Sequence, residues 1–264
     1  MDIQYQIIPY VLALIFAVLT FFFWKRSRQY ERHIDSSKEL GRKFLNTIQH
    51  QVRAPLTALK GYSSLILEGD YGHIKPELRE VFFGMSVSSS NLIDIFDDYM
   101  DLACLSFDDM HYHQDSIDLK KIITKLIQKF HENSPHSVIE LGESGDSYVV
   151  KGDSKQLTDT FRRLIENSVK YTENGHITIF LKKNDKKITV CIEDNGIGIA
   201  KEDLLHLFKK FYRTDNAQQK SAVGTGLGLY INAQIVKAHD GRIWAESDGI
   251  SKGSRFFVEL PIKA

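Results

Sequence analysis

The chain has 264 residues, enough for one or two domains with real cores, and its 34 basic residues balance 34 acidic ones. A neutral balance gives no electrostatic basis for nucleic acid as the main partner. The two cysteines, Cys104 and Cys191, lie far apart in sequence. They form neither a disulfide framework nor a metal-ligand cluster, and read as ordinary thiols in a reducing compartment.

From Ile7 to Trp24 no residue is charged and most are apolar. As a helix this segment spans roughly 27 Å, just enough for a bilayer core. Pro9 lies near the start, where a helix tolerates it, and Tyr10 and Trp24 lie near the two ends, as interfacial aromatics do. Lys25, Arg26, Arg28 and Arg32 follow at once, whereas the preceding stub carries only Asp2. The positive-inside rule then predicts a single-pass helix in the inner (plasma) membrane, with everything after Trp24 cytoplasmic. A cleaved signal peptide is the competing reading, but a basic n-region and a small-residue cleavage site are missing. Residues 1–24 are therefore expected to be a stub plus a transmembrane helix, and 25–39 a charged helical linker.

Phe44, Ile48, Val52, Leu56, Leu59 and Ile66 recur at helical spacing and define one apolar stripe. Gly69-Asp70-Tyr71-Gly72 breaks it, and Pro76 is suited to open a second helix. There Leu78, Val81, Met85, Ser88, Leu92, Ile95, Tyr99 and Leu102 form a heptad seam with one polar member. One hairpin (40–108) cannot enclose such a face, so two copies are expected to pair into a four-helix bundle, making the protein a homodimer.

An α+β module is expected over 113–264. Asp118 caps a helix from Leu119 to about Phe130, Val138–Leu141 and Tyr148–Lys151 are candidate strands, and Asp153 or Ser154 caps a helix to about Tyr171. Ile177–Leu181 and Ile188–Ile192 alternate as strands of a hairpin. Gly228 opens a helix to about His239, and Arg242–Glu246 and Arg255–Leu260 complete the strands. Three segments stand in order here: glycine-bearing Asp194 to Ile199, aromatic Phe208 to Arg213, and glycine-bearing Gly224 to Leu229. Glycine lets backbone approach a ligand closely, and free N–H groups opening a helix hold phosphate. With Asn167 to Thr172 upstream, they look like one nucleotide pocket assembled from separated pieces.

At these residues the chain resembles membrane-bound sensor histidine kinases of two-component systems, over roughly residues 40–264. Phe44 to Leu56, with His50, Arg53, Pro55 and Leu56, resembles the H-box of the dimerisation and histidine-phosphotransfer domain. The later segments resemble the N, G1, F and G2 boxes of the GHKL-type ATP-binding domain, an α/β sandwich, and Gly253 to Pro261 its terminal strand.

The resemblance implies His50 as phosphoacceptor. At about 100° per residue it lies about 200° from both Ile48 and Val52, so it points away from the seam into water. Pro55 removes one helix hydrogen bond and frees the Gln51 carbonyl, so a bend is expected just beyond His50. The family usually follows the histidine with Glu or Asp; here Gln51 accepts a hydrogen bond but no proton. Where relatives carry Thr or Asn to orient water for phosphatase chemistry, this chain has Ala54. A slow kinase without strong phosphatase activity is the expectation, and an ATP-binding pseudokinase or scaffold that modulates another histidine kinase is the alternative.

The resemblance further implies ATP and Mg²⁺. Asp194 accepts from the adenine amino group, and Gly196, Gly198 and Ile199 run past the base. Asn167 is the Mg²⁺ ligand, Lys170 a phosphate-neutralising charge and Tyr171 a flank for base or ribose. Arg163 replaces a second Asn of the family and reaches either phosphate or solvent. Phe208, Phe211 and Tyr212 pack the base of a lid (214–223), Arg213 meets the γ-phosphate, and Gly224, Thr225, Gly226, Leu227 and Gly228 present amides to the phosphates. The implied partner is a response regulator carrying the acceptor aspartate.

Overall fold

The computed structural model describes residues 40–41, 43–45, 47–106, 115–133, 138–142, 145, 147–172, 175–221 and 224–262. The expected membrane helix and linker lie outside the described residues. Among the described residues no helix is long and apolar enough to cross a membrane. The chain divides into two compact units, Met1–Ala54 and Pro55–Ala264.

The first helix, α1, is helical at 40–41, 43–45 and 47–68 and continues through Pro55, where the boundary between the units falls. Gly69 and Gly72 then adopt φ of 93° and 95°, a region that costs L side chains energy, and the chain turns. Pro76 occupies the first position of α2 (Pro76–Ser106), where its missing N–H has no helical partner to lose, and Glu77 sits favourably in the first turn. The expected seam is outward-facing along α2: Leu78, Val81, Met85, Leu92 and Tyr99 are all exposed. Contacts across the hairpin include Lys60 Nζ to Ser90 Oγ at 3.1 Å and Arg79 Nη1 to the Leu67 carbonyl at 3.1 Å.

The C-terminal part is a two-layer α/β structure. β1 (Asp115–Asp118) and β3 (Val149–Gly152) form an antiparallel ribbon. A five-stranded sheet follows the order β2-β4-β5-β7-β6, with β2 (Val138–Leu141), β4 (His176–Lys183), β5 (Lys187–Asp194), β6 (Arg242–Glu246) and β7 (Ser254–Pro261). Only the β2–β4 pair is parallel. On the sheet lie α3 (Leu119–Asn133), α4 (Ser154–Tyr171) and α7 (Gly228–Ala238), with short helices α5 (Lys201–Leu204) and α6 (Asp215–Lys220) between strand and helix.

Alternation builds the core. β5 buries Ile188, Val190 and Ile192, β7 buries Phe256, Val258 and Leu260, and α4 covers them with Leu157, Phe161, Leu164 and Ile165. Asp153 caps α4 by accepting from the Gln156 N–H at 3.0 Å, and Asp118 accepts from the Lys120 N–H at 3.1 Å as α3 begins. Three elements depart from the sequence reading, the short helix α5 among them. β1 was not foreseen, and the lid holds a helix, α6, whose N-cap Thr214 accepts from the Ala217 N–H at 3.3 Å. The end of α2 does not stand clear of this module: Leu102 and Leu105 pack on Leu227, Ile231 and Ile235 of α7.

Candidate active site

The pleat of β5 continues inward beyond Ile192 to Asp194, so a carboxylate takes the next core-facing position at the end of the strand. It is 7% exposed. Ser254, its partner on β7, is the first inward residue of that strand. Oδ1 accepts from the Gly196 N–H at 2.9 Å and the Ser254 N–H at 3.2 Å; Oδ2 accepts from Ser254 Oγ at 2.6 Å and, at 3.4 Å, from Ser168 Oγ of α4. Burial raises the carboxyl pKa above the ordinary aspartate value, and these donors oppose the shift. Ser168 and Ser254 are site residues that sequence reasoning passed over. The alternation of β5 was the available signal, since it aims Asp194 at whatever faces it.

The loop after Asp194 is pinned from both sides. The Ile197 N–H donates to the Tyr171 carbonyl at 3.1 Å, the Ser251 N–H to the Ile197 carbonyl at 2.7 Å, and the Ile199 N–H to Ser247 Oγ at 3.1 Å. Gly196 has no room for a Cβ, which would stand 2.5 Å from the Tyr171 carbonyl oxygen, and Gly198 has φ 66° against the 249–252 turn. Close approach at these two glycines is thus to the protein's own backbone.

α4 presents Arg163, Asn167 and Lys170 on one face. Asn167 is half-buried and makes no hydrogen bond among the described residues. Lys170 is exposed; flanking protein and then Arg213 hold its pKa below the ordinary lysine value, while Asp94 and Asp98 pull it upward. Its Nζ lies 5.6 Å from the Tyr171 ring centroid. Glu166 accepts from Arg162 Nη1 at 2.7 Å. Arg163 takes neither of its two expected positions. Nη1 donates to Asp98 Oδ1 and Nη2 to Asp101 Oδ2 at 2.5 Å, both on α2.

The last glycine segment opens α7. Gly226 has φ 68°, and a Cβ there would meet the Phe211 carbonyl carbon at 2.6 Å. The Phe211 N–H donates to the Gly226 carbonyl at 3.0 Å, joining the F and G2 segments. Phe208 packs against the main core as expected, whereas Phe211, at φ 63°, is 58% exposed. Tyr212 donates to Asp203 Oδ1 at 2.6 Å. Arg213 holds the lid: Nη1 donates to the Gly224 carbonyl at 3.2 Å and Nη2 to the carbonyls of Ala217, at 3.3 Å, and Ser221. Thr225 Oγ1 accepts from the Leu227 N–H at 3.1 Å and donates to Asp98 Oδ2. Leu227 is fully buried, while a Cβ on Gly228 would find only Arg163 Nη1, at 3.8 Å. Among the described residues no side chain caps the first turn of α7, which leaves N–H groups of the kind that hold anions at helix N-termini.

Among the described residues no group of three His, Cys, Asp or Glu could hold a metal. The donor set fits a hard cation shared with phosphate: the Asn167 amide oxygen is unspent, and Mg²⁺ commonly takes few protein ligands and keeps waters. In the other unit, His50, Gln51, Arg53 and Ala54 are exposed on α1 whereas Ile48 and Val52 are half-buried, the two-sidedness the helical spacing predicts.

Residues 41–106 match the family described as His Kinase A (phospho-acceptor) domain, and 152–264 match the Histidine kinase-, DNA gyrase B-, and HSP90-like ATPase family. The chain belongs to the two-component sensor histidine kinases. Among similar members, the sensor histidine kinase WalK of Bacillus subtilis is 30% identical over 84% of this chain and 37% of its own length. A WalK of Staphylococcus aureus is 29% identical over 83% of this chain and 53% of its own. The chain thus spans roughly a third to a half of these relatives. Of solved structures, the Acinetobacter baumannii histidine kinase AdeS superposes with a TM-score of 0.55 at 25% identity, covering 81% of this chain and 98% of AdeS. Full-length ShkA in complex with AMPPNP shares the fold, with a TM-score of 0.64 at 21% identity over 84% of this chain and 46% of ShkA. The two matched regions contain His50 and Asp194 respectively.

Proposed function

We propose that this chain binds Mg–ATP in its C-terminal α/β domain, phosphorylates His50 and passes the phosphoryl group to an aspartate of a response regulator. The observation that carries the reading is Asp194, a buried carboxylate held by Gly196 and Ser254 at the end of β5. An adenine amino group finds an acceptor there that guanine cannot use. Asn167 would hold Mg²⁺, which neutralises phosphate charge when bound, and the G2 amides and Lys170 cradle the phosphates. A ring nitrogen of His50 attacks the γ-phosphorus, the bond to the β–γ bridging oxygen breaks, and ADP leaves with that electron pair. The proton released from the imidazolium goes to solvent, because Gln51 cannot take it.

The exposed apolar seam of α2 supports homodimerisation through a four-helix bundle. The hairpin surface around His50 is the docking face for the regulator. The uncharged segment from Ile7 to Trp24, followed by Lys25 and Arg26, supports a single-pass inner-membrane anchor with the catalytic part in the cytoplasm.

Incubation of the full chain with γ-labelled ATP and Mg²⁺ tests the reading. An acid-labile, base-stable label mapping to His50 is expected; absence of label despite nucleotide binding selects the pseudokinase alternative. Gln51→Glu should raise the labelling rate, toward the ~10²-fold lower end of general-base effects. An unchanged rate removes Gln51 as the cause of slow transfer.

Asp194 also gives a pH dependence with two opposite signs. Its raised pKa means that ionisation costs fold stability at neutral pH, and that cost is relieved as pH falls through the raised value. Adenine binding needs the ionised form. As pH falls from neutrality through that raised pKa, wild-type stability relative to Asp194→Asn should rise in thermal unfolding, while Mg–ATP affinity measured by calorimetry falls.

A further inference from the structure

Asp94, Asp98 and Asp101 recur at helical spacing on one face of α2, and Arg163, Asn167 and Lys170 do so on α4. The two stripes run against each other in opposite directions. Arg163 meets Asp98 and Asp101, while Lys170, two turns on, lies in the field of Asp94 and Asp98. Asp98 takes the central place. One of its oxygens accepts from Arg163 of the N box and the other from Thr225 of the G2 loop. Arg163 is 11% exposed at its side chain and Asp98 15%, so the pair is largely withdrawn from water. Leu102 and Leu105, one turn further along α2, anchor the helix on α7.

Arg163 Nη1 stands 3.8 Å from where a Cβ on Gly228 would lie, at the N-terminus of α7, the end that the proposed function gives to the phosphates. We infer that Asp98 is a built-in competitor of the nucleotide: an α2 carboxylate occupies donors at the phosphate corner and latches α2 onto the nucleotide domain. The inference rests on the reading of this cleft as the ATP site. A triphosphate arriving beside Asp98 brings negative charge against a largely buried carboxylate. Binding and latching therefore oppose each other, and by linkage each weakens the other equally. The fraction of unlatched molecules scales the apparent affinity. Arg163 gives Asp98 a cation to close upon, and opening frees the same cation for phosphate.

The test is calorimetric titration of the full chain with Mg²⁺ and the non-hydrolysable analogue AMPPNP. Asp98→Asn removes the charge at nearly constant shape and is expected to bind about tenfold tighter than wild type. Asp101→Asn, which loses only one contact of Arg163, should gain less. Asp185→Asn, on the exposed β4–β5 turn, should bind as wild type does. Equal or weaker binding by Asp98→Asn overturns the latch. Hydrogen exchange of the wild-type chain gives a second reading that needs no variant. AMPPNP should accelerate exchange of α2 amides around 98–106, and unchanged or slower exchange there overturns the latch too. If neither wild type nor any variant binds the analogue, the assignment of the ATP site fails, an outcome distinct from a wild type that binds with no gain in Asp98→Asn.

Discussion

Asp194→Asn is expected to abolish useful adenine-nucleotide binding while leaving the domain folded. The amide oxygen still accepts from the backbone N–H groups of Gly196 and Ser254, and the Ser254 hydroxyl turns to accept from the new NH₂. What the ligand meets has changed sign, because an NH₂ now faces the adenine amino group. A lost charge-assisted bond plus an unpaired donor is worth about 3–4 kcal/mol, so affinity should fall by a hundredfold or more. Guanine, with an acceptor at that position, should lose much less, and the ATP-to-GTP preference should collapse. Asp194→Ala is harsher: it strands the donors that hold the carboxylate and should cost about 2–4 kcal/mol of domain stability by urea unfolding. Retention of tight Mg–ATP binding by a folded Asn variant would exclude Asp194 as the adenine acceptor.

His50→Gln should eliminate the acid-labile label completely while leaving Mg–ATP binding unchanged. The substitution lies on the exposed face of α1, so no packing is lost. Thermal stabilisation by Mg–ATP should match wild type, because a ligand that binds only the folded domain stabilises it in proportion to ln(1 + [L]/Kd). Two other results are informative. Label surviving in His50→Gln places the acceptor elsewhere, and steady ATP turnover surviving in it would point to a conformational ATPase rather than a phosphotransferase.

Much of this arrangement was legible in the sequence where local physics decides it. The period-two burial of Ile188, Val190 and Ile192, the cap at Asp153 and the turn glycines at 69 and 72 each follow from a few neighbouring residues. The two-sidedness of α1 around His50 follows from spacing alone. What escaped is what depends on distant partners or on short, charged segments. β1 is four residues with two aspartates, and it is a strand only because β3 pairs with it. The helix in the lid is six residues, five of them polar, held by Thr214 at one end and Arg213 near the other. Arg163 could be counted as a departure from the family pattern, but its partners lie more than sixty positions earlier and no spacing rule reaches them. Ser254 was noted as part of a terminal strand, yet its role appears only once β7 lies beside β5.

That placement has a temporal consequence. β7 is the last of the described strands to be synthesised, and it sits between β5 and β6 in the interior of the sheet. Until it inserts, β5 and β6 have no common neighbour and Asp194 lacks its closest hydroxyl. A nascent polypeptide stalled before Ser254 therefore has every glycine box already translated and no place to put a purine. The surroundings of Asp194 are therefore completed only when the last of the described strands enters the sheet.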